Sequence, residues 1–131
     1  MNLELLMKLA RLHSGCAGAK VVASIEKNGR TISVGYNRRK THPLAKKFGK
    51  NSEAIFLHAE VDAIVKAIQI YGADGLRGST LRVARVLKDG SAALARPCEG
   101  CQRAIVAFEI GEVEWTKKTT AKTAATGGQN A

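Results

Sequence analysis

Asn28-Gly29 stands between two runs of apolar and β-branched residues. In that setting an Asn-Gly pair favours the two-residue type I′ turn, which needs positive φ at both positions. Residues 20 to 26 and 31 to 36 therefore read as an antiparallel hairpin, with Ile32, Val34 and Tyr36 on one face of the second strand. A sheet begun this way must bury an apolar side, and the flanking segments supply helices to cover it. Residues 3 to 13 place Leu5, Leu6, Leu9 and Leu12 at helical spacing, with Asn2 as cap and Gly15 as stop. A second run of helix formers extends from about Glu53 or His58 to Tyr71 and is closed by Gly72.

Thr80 to Leu87 reads as a strand with Leu81 and Val83 on one face, followed by an Asp89-Gly90 turn. Residues 98 to 109 read as another core helix, carrying Ile105, Val106 and Phe108, and Val113 and Trp115 alternate in a final short strand. The order helix, strand, strand, helix, strand, helix, strand implies a layered α/β domain over residues 1 to 116. From residue 117 to 131 no large apolar residue remains. Such a basic tail cannot offset its ordering entropy, and it is expected to be disordered.

With 131 residues, 45 % of them apolar, the chain is of a size to build one core. It shows no leader-like segment and no run long enough to span a bilayer, so no membrane role and a cytoplasmic location are expected. Three cysteines, an odd number, favour metal binding or chemistry over a disulfide framework. Lys and Arg total 21 against 11 Asp and Glu, a formal charge of +10 that attracts phosphate-bearing partners at long range. Between Asn37 and the second helix the segment is strongly basic, with Arg38, Arg39, Lys40 and Lys46 as candidate phosphate contacts; a solvated rim is the alternative reading.

Two short motifs carry chemistry. His58-Ala59-Glu60 precedes Pro97-Cys98-Glu99-Gly100-Cys101, an H-x-E…P-C-x-x-C pattern. Two cysteines three apart in the first turn of a helix point the same way, so both thiolates can reach one metal, and the helix N-terminus favours their charge. One imidazole and two thiolates leave tetrahedral zinc a fourth position for water, whose pKa falls to about 7. Glu60, two residues after the histidine, is placed to move that water's proton. A closed structural site would need a fourth ligand, from His13, Cys16 or His42.

Through these motifs the chain resembles the zinc-dependent cytidine and deoxycytidylate deaminase family over roughly residues 3 to 116. The resemblance implies a cytidine-deaminase-like three-layer fold, with a mixed central sheet of about four to five strands flanked by helices. It implies His58, Cys98 and Cys101 as ligands of Zn2+ and Glu60 as general acid/base. The backbone N–H of Ala59 would contact the base, and Asn37 the sugar. The histidine ligand favours the branch acting on phosphorylated substrates. The implied reaction is zinc-dependent hydrolytic deamination of cytosine in a nucleotide, dCMP to dUMP with release of ammonia. A base deaminase acting on single-stranded DNA or RNA, on cytosine or adenosine, is the alternative. A non-catalytic zinc-containing module that binds nucleic acid is a third.

Two features depart from the family pattern. Residues 88 to 96 lengthen the path from the third strand to Pro97, and the apolar pattern ends after Trp115, so that the family's fifth strand and last helix are expected to be missing. An exposed sheet edge would follow, with a homo-oligomer as one way to cover it. His13 and Cys16 have the spacing of a second metal site. Tyr36, Phe48 and Phe56 are candidates for stacking on a base, with core packing as the alternative.

Overall fold

A computed structural model describes residues 1–13, 20–37 and 58–118. Helix α1 (Leu3–Leu12) leads to strands β1 (Lys20–Lys27) and β2 (Arg30–Tyr36); α2 (Ala59–Tyr71) and a 3-10 turn (Ala73–Leu76) precede β3 (Thr80–Val86). A two-residue strand β4 (Ala92–Ala93), helix α3 (Glu99–Ala107) and β5 (Glu112–Trp115) complete the order. The sheet runs β2-β1-β3-β4, antiparallel throughout that path, while β5 lies parallel to β3. Helix α1 covers one face, and α2 and α3 cover the other. The result is the expected three-layer fold around a mixed sheet.

The hairpin forms as the sequence dictates. Asn28 and Gly29 both have positive φ, 54° and 77°, as a type I′ turn requires, and Lys27 pairs with Arg30 across it. One detail departs from the expected alternation. Ile25 pairs with Ser33 but Glu26 with Thr31, so Ile32 is the extra residue of a bulge. The bulge sends Ile32 to the cluster under α2, whereas Val34 and Tyr36 pack toward α1. Under α2 the strand presents Ser33 and Gly35, both buried.

Helix α1 buries Leu3, Leu6, Met7 and Ala10, and its N-terminus is capped by Asn2, whose Oδ1 accepts the Leu5 N–H at 2.9 Å. Leu5 and Leu12, expected on the apolar stripe, face solvent at 45 % and 80 % exposure. The stripe is set by Leu3 and Met7 instead, at the i, i+3, i+4, i+7 spacing of one helical face. In α3 the terminal turn likewise leaves Val106 exposed while Ala104 and Ile105 enter the core.

The segment 88 to 96 folds back on β3. Leu87 and Ser91 close a turn in which Asp89 Oδ1 accepts from both the N–H and the hydroxyl of Ser91, and β4 then pairs with Arg85 and Val86. This short strand lies in the insertion before Pro97 and brings the sheet to five strands among the described residues. Thr116, fully buried, ties the arrangement together. Its hydroxyl donates to the Ala93 carbonyl at 2.7 Å and accepts the Arg85 N–H at 3.0 Å, and its own backbone bonds Val83 and Ala95.

Candidate active site

Strand β2 and helix α2 approach so closely that a Cβ at Gly35 would collide with the backbone nitrogen of Ala63 and the carbonyl of Ala59. Ser33 reinforces the contact, its hydroxyl donating to the Ala63 carbonyl at 2.8 Å. On its other side α2 meets α3 through Val61 and Val65, which pack against Cys98 and Cys101. The N-terminal ends of both helices are thereby brought to one place.

His58 is the N-cap of α2 yet makes no side-chain cap hydrogen bond. Its imidazole turns to the cysteines: Nδ1 lies 3.3 Å from Cys101 Sγ and 3.5 Å from Cys98 Sγ. Cys98 is the N-cap of α3, and its sulfur accepts the Cys101 N–H at 3.5 Å. The three ligand atoms lie within 4.8 Å of one another and form the only such His/Cys/Asp/Glu group among the described residues. In tetrahedral zinc with Zn–S and Zn–N bonds of ordinary length, adjacent nitrogen and sulfur ligands stand about 3.5 Å apart. The measured separations match that edge, and two thiolates with one imidazole are a donor set suited to zinc.

The electrostatics agree. Hydrogen bonds from Cys101 and then His58 hold the Cys98 pKa down to about 3, which favours the thiolate that a metal needs. Its bond to Cys98, then burial, then the negative charges of Glu60 and Cys98 push the Cys101 thiol upward. A dication removes that conflict. Glu60 is enclosed beside the same cluster, 6 % exposed, near enough to His58, Cys98 and Cys101 to interact with each electrostatically. Burial raises its pKa above the ordinary carboxylate value, against the opposing pull of its own backbone N–H and of His58.

The structure thus brings His58, Glu60, Cys98 and Cys101 together. Ala59, fully buried, is the first residue of α2, where a backbone N–H has no partner within the helix. Asn37 stands at the end of β2, where its Oδ1 accepts the Val21 N–H at 3.0 Å and its carbonyl accepts from His13 Nε2 at 2.8 Å. His13 therefore helps to close the strand end. Tyr36 packs with the α1 cluster and against the His13 ring, the bland alternative to base stacking. Arg38, Arg39, Lys40 and Lys46 lie outside the described residues, as do Cys16, His42, Phe48, Phe56 and the tail from residue 119. Sequence reasoning missed Gly35, Ser33 and Asp62. The signal for Gly35 was a glycine inside a strand pattern, which marks close backbone approach.

A three-layer domain with this cluster defines a zinc-dependent deaminase, a hydrolase. The model of the cytidine and deoxycytidylate deaminase zinc-binding region matches residues 2–117, and the chain belongs to that family. No curated protein sequence matches the chain. Among solved structures it is similar to the dCMP deaminase of the cyanophage S-TIM5, with 25 % identity, 88 % of this chain and 82 % of that one covered, and a TM-score of 0.56. A guanine deaminase from Bacillus subtilis matches at 24 % identity, covering 89 % of this chain and 65 % of that one, with a TM-score of 0.55. A cytidine deaminase from Mycobacterium leprae matches at 22 % identity, with 89 % and 88 % covered and a TM-score of 0.53. The last two likenesses are of fold. No helix among the described residues is long and apolar enough to cross a membrane.

Proposed function

We propose that the chain deaminates cytosine in a nucleotide, converting dCMP to dUMP with release of ammonia. The observation that carries deamination is Glu60, a buried carboxyl enclosed with the His58, Cys98 and Cys101 ligand atoms. The choice of dCMP is supported by the likeness to the phage enzyme, a dCMP deaminase of which another structure holds dCMP and dUMP. The basic stretch after Asn37 supports a phosphorylated substrate, with Arg38, Arg39, Lys40 and Lys46 as its phosphate contacts.

Zinc held by His58, Cys98 and Cys101 would supply a Lewis acid and bring the pKa of a water in its fourth position to about 7. Glu60 takes a proton from the attacking water and passes it to the ring nitrogen, then delivers the second to the departing amine. One water enters, one ammonia leaves, and uracil remains. The raised pKa of Glu60 suits this shuttle, since both its forms must be reachable near neutral pH. The N–H of Ala59 would orient the base and the side-chain amide of Asn37 the sugar. Cytoplasmic nucleotide chemistry and a homo-oligomer belong to the same reading. Among the described residues β5 pairs with β3 alone, which gives a second copy an edge to cover.

The formal charge of +10 favours a second reading, action on a base in single-stranded nucleic acid. Ammonia release by the zinc-loaded chain from dCMP, CMP, deoxycytidine, guanine and a cytosine-containing single-stranded oligonucleotide separates the readings. Turnover of dCMP is the expected result. Turnover of the oligonucleotide alone, falling steeply with salt, would replace this reading with the second.

A further inference from the structure

Strand β2 is an outer strand of the sheet, and in an antiparallel pair the backbone groups of alternate residues point away from the partner. The Asn37 N–H is bonded to the Val21 carbonyl of β1, so the groups of Tyr36 and Val34 face the open edge. Of these, the Tyr36 N–H and the Val34 carbonyl are taken by one pair of side chains on α2. Asp62 Oδ2 accepts the Tyr36 N–H at 2.9 Å, and Lys66 Nζ donates to the Val34 carbonyl at 3.1 Å. Asp62 and Lys66 are themselves joined at 3.0 Å as an i,i+4 ion pair, with the Asp62 side chain 3 % exposed. The pair stands where a further strand would stand and offers the same acceptor and donor.

We infer that Asp62 is a positioning residue, which with Lys66 caps the edge of β2 and holds the end of that strand, and Asn37 with it, at a fixed distance from the helix bearing His58 and Glu60. Asn37 directly follows β2 and His58 directly precedes α2, so a clamp between strand and helix fixes the distance between the two positions. Asp62 supplies one, a single turn into the helix that starts at the cluster. Gly35 allows the two backbones to approach, and Asp62 fixes their relative height along the strand. Its effect on turnover rests on the proposed role of Asn37 in holding the sugar.

Asp62→Ala and Asp62→Asn in the zinc-loaded full chain test this, through KM and kcat for dCMP, zinc content, and amide hydrogen exchange at Tyr36. In Asp62→Ala we expect KM to rise about tenfold or more, the size of one lost hydrogen bond to a charged group, with kcat and zinc content little changed and Tyr36 exchange accelerated. Asp62→Asn keeps an acceptor for Tyr36 and should restore most of KM. A wild-type KM in Asp62→Ala, or an Asp62→Asn no better than the alanine variant, would overturn the inference. If Asp62→Ala does not fold, Lys66→Met removes the other half of the cap, and an unchanged KM there is equally fatal. If the wild type ignores dCMP, the substrate reading fails by itself, and the same KM comparison on the substrate that is turned over decides the role of Asp62.

Discussion

On one face of the sheet, α1 lays Leu3, Leu6 and Met7 over Val22, Ala84 and Val86. On the other, α2 meets the strands through Ala59, Ala63 and Ala67, with Gly35 beneath them. The first contact is a layer of bulky side chains, in which burial supplies the free energy and small shifts can be absorbed by repacking. The second also buries Ile64 with Ile25, Leu81 and Val83, but where α2 crosses β2 at Gly35 it is nearly backbone against backbone, held in register by Ser33, Asp62 and Lys66. A fold that must place His58 and Glu60 against cysteines from another helix uses the face with least room to adjust. Both faces bury apolar side chains, and the geometry of the site comes from the close contact of α2 with β2.

This contrast is open to test. The largest loss of stability is expected from Gly35→Val, because the new side chain meets the Ala59 carbonyl and the Ala63 nitrogen, neither of which can swing away. A cost above about 4 kcal/mol, with loss of bound zinc, should appear in denaturant melts and metal analysis. Leu6→Ala, on the opposite face, empties a fully buried site and should cost about 2–5 kcal/mol. Zinc content and turnover per folded molecule should remain those of the wild type; if both fell with stability, the two faces would not be separable. Thr116→Val keeps the shape but strands the Ala93 carbonyl and the Arg85 N–H, an expected cost of about 1–3 kcal/mol in the same melts.

Where the chain's local chemistry decides the structure, it could be read. The Asn28-Gly29 turn needs only its own two residues, and the metal motifs need only helix starts that bring the ligands to a common end. Where the decision lies in a distant partner, it could not. The four leucines of the first helix fit the expected stripe, but Leu3 and Met7 match the strands beneath better and turned Leu5 and Leu12 outward. The hydrophobic alternation of β2 hid its other buried face, because Ser33 and Gly35 there serve a close helix and not an oily one. Thr116 resembles the start of a polar tail, yet its partners, Arg85 and Ala93, are 31 and 23 residues earlier in the chain. Ala92–Ala93 carries no strand signal, and it pairs only because the turn at Asp89-Gly90 returns it to β3.

The most direct test of the account compares zinc content and ammonia release in the wild type, Glu60→Gln and the Cys98→Ala/Cys101→Ala double variant. Glu60→Gln should keep about one zinc per chain yet lose deamination by roughly 10²–10⁴-fold, and the double variant should lose both. Undiminished turnover in Glu60→Gln, or stoichiometric zinc in the double variant, would contradict the assignment of the site.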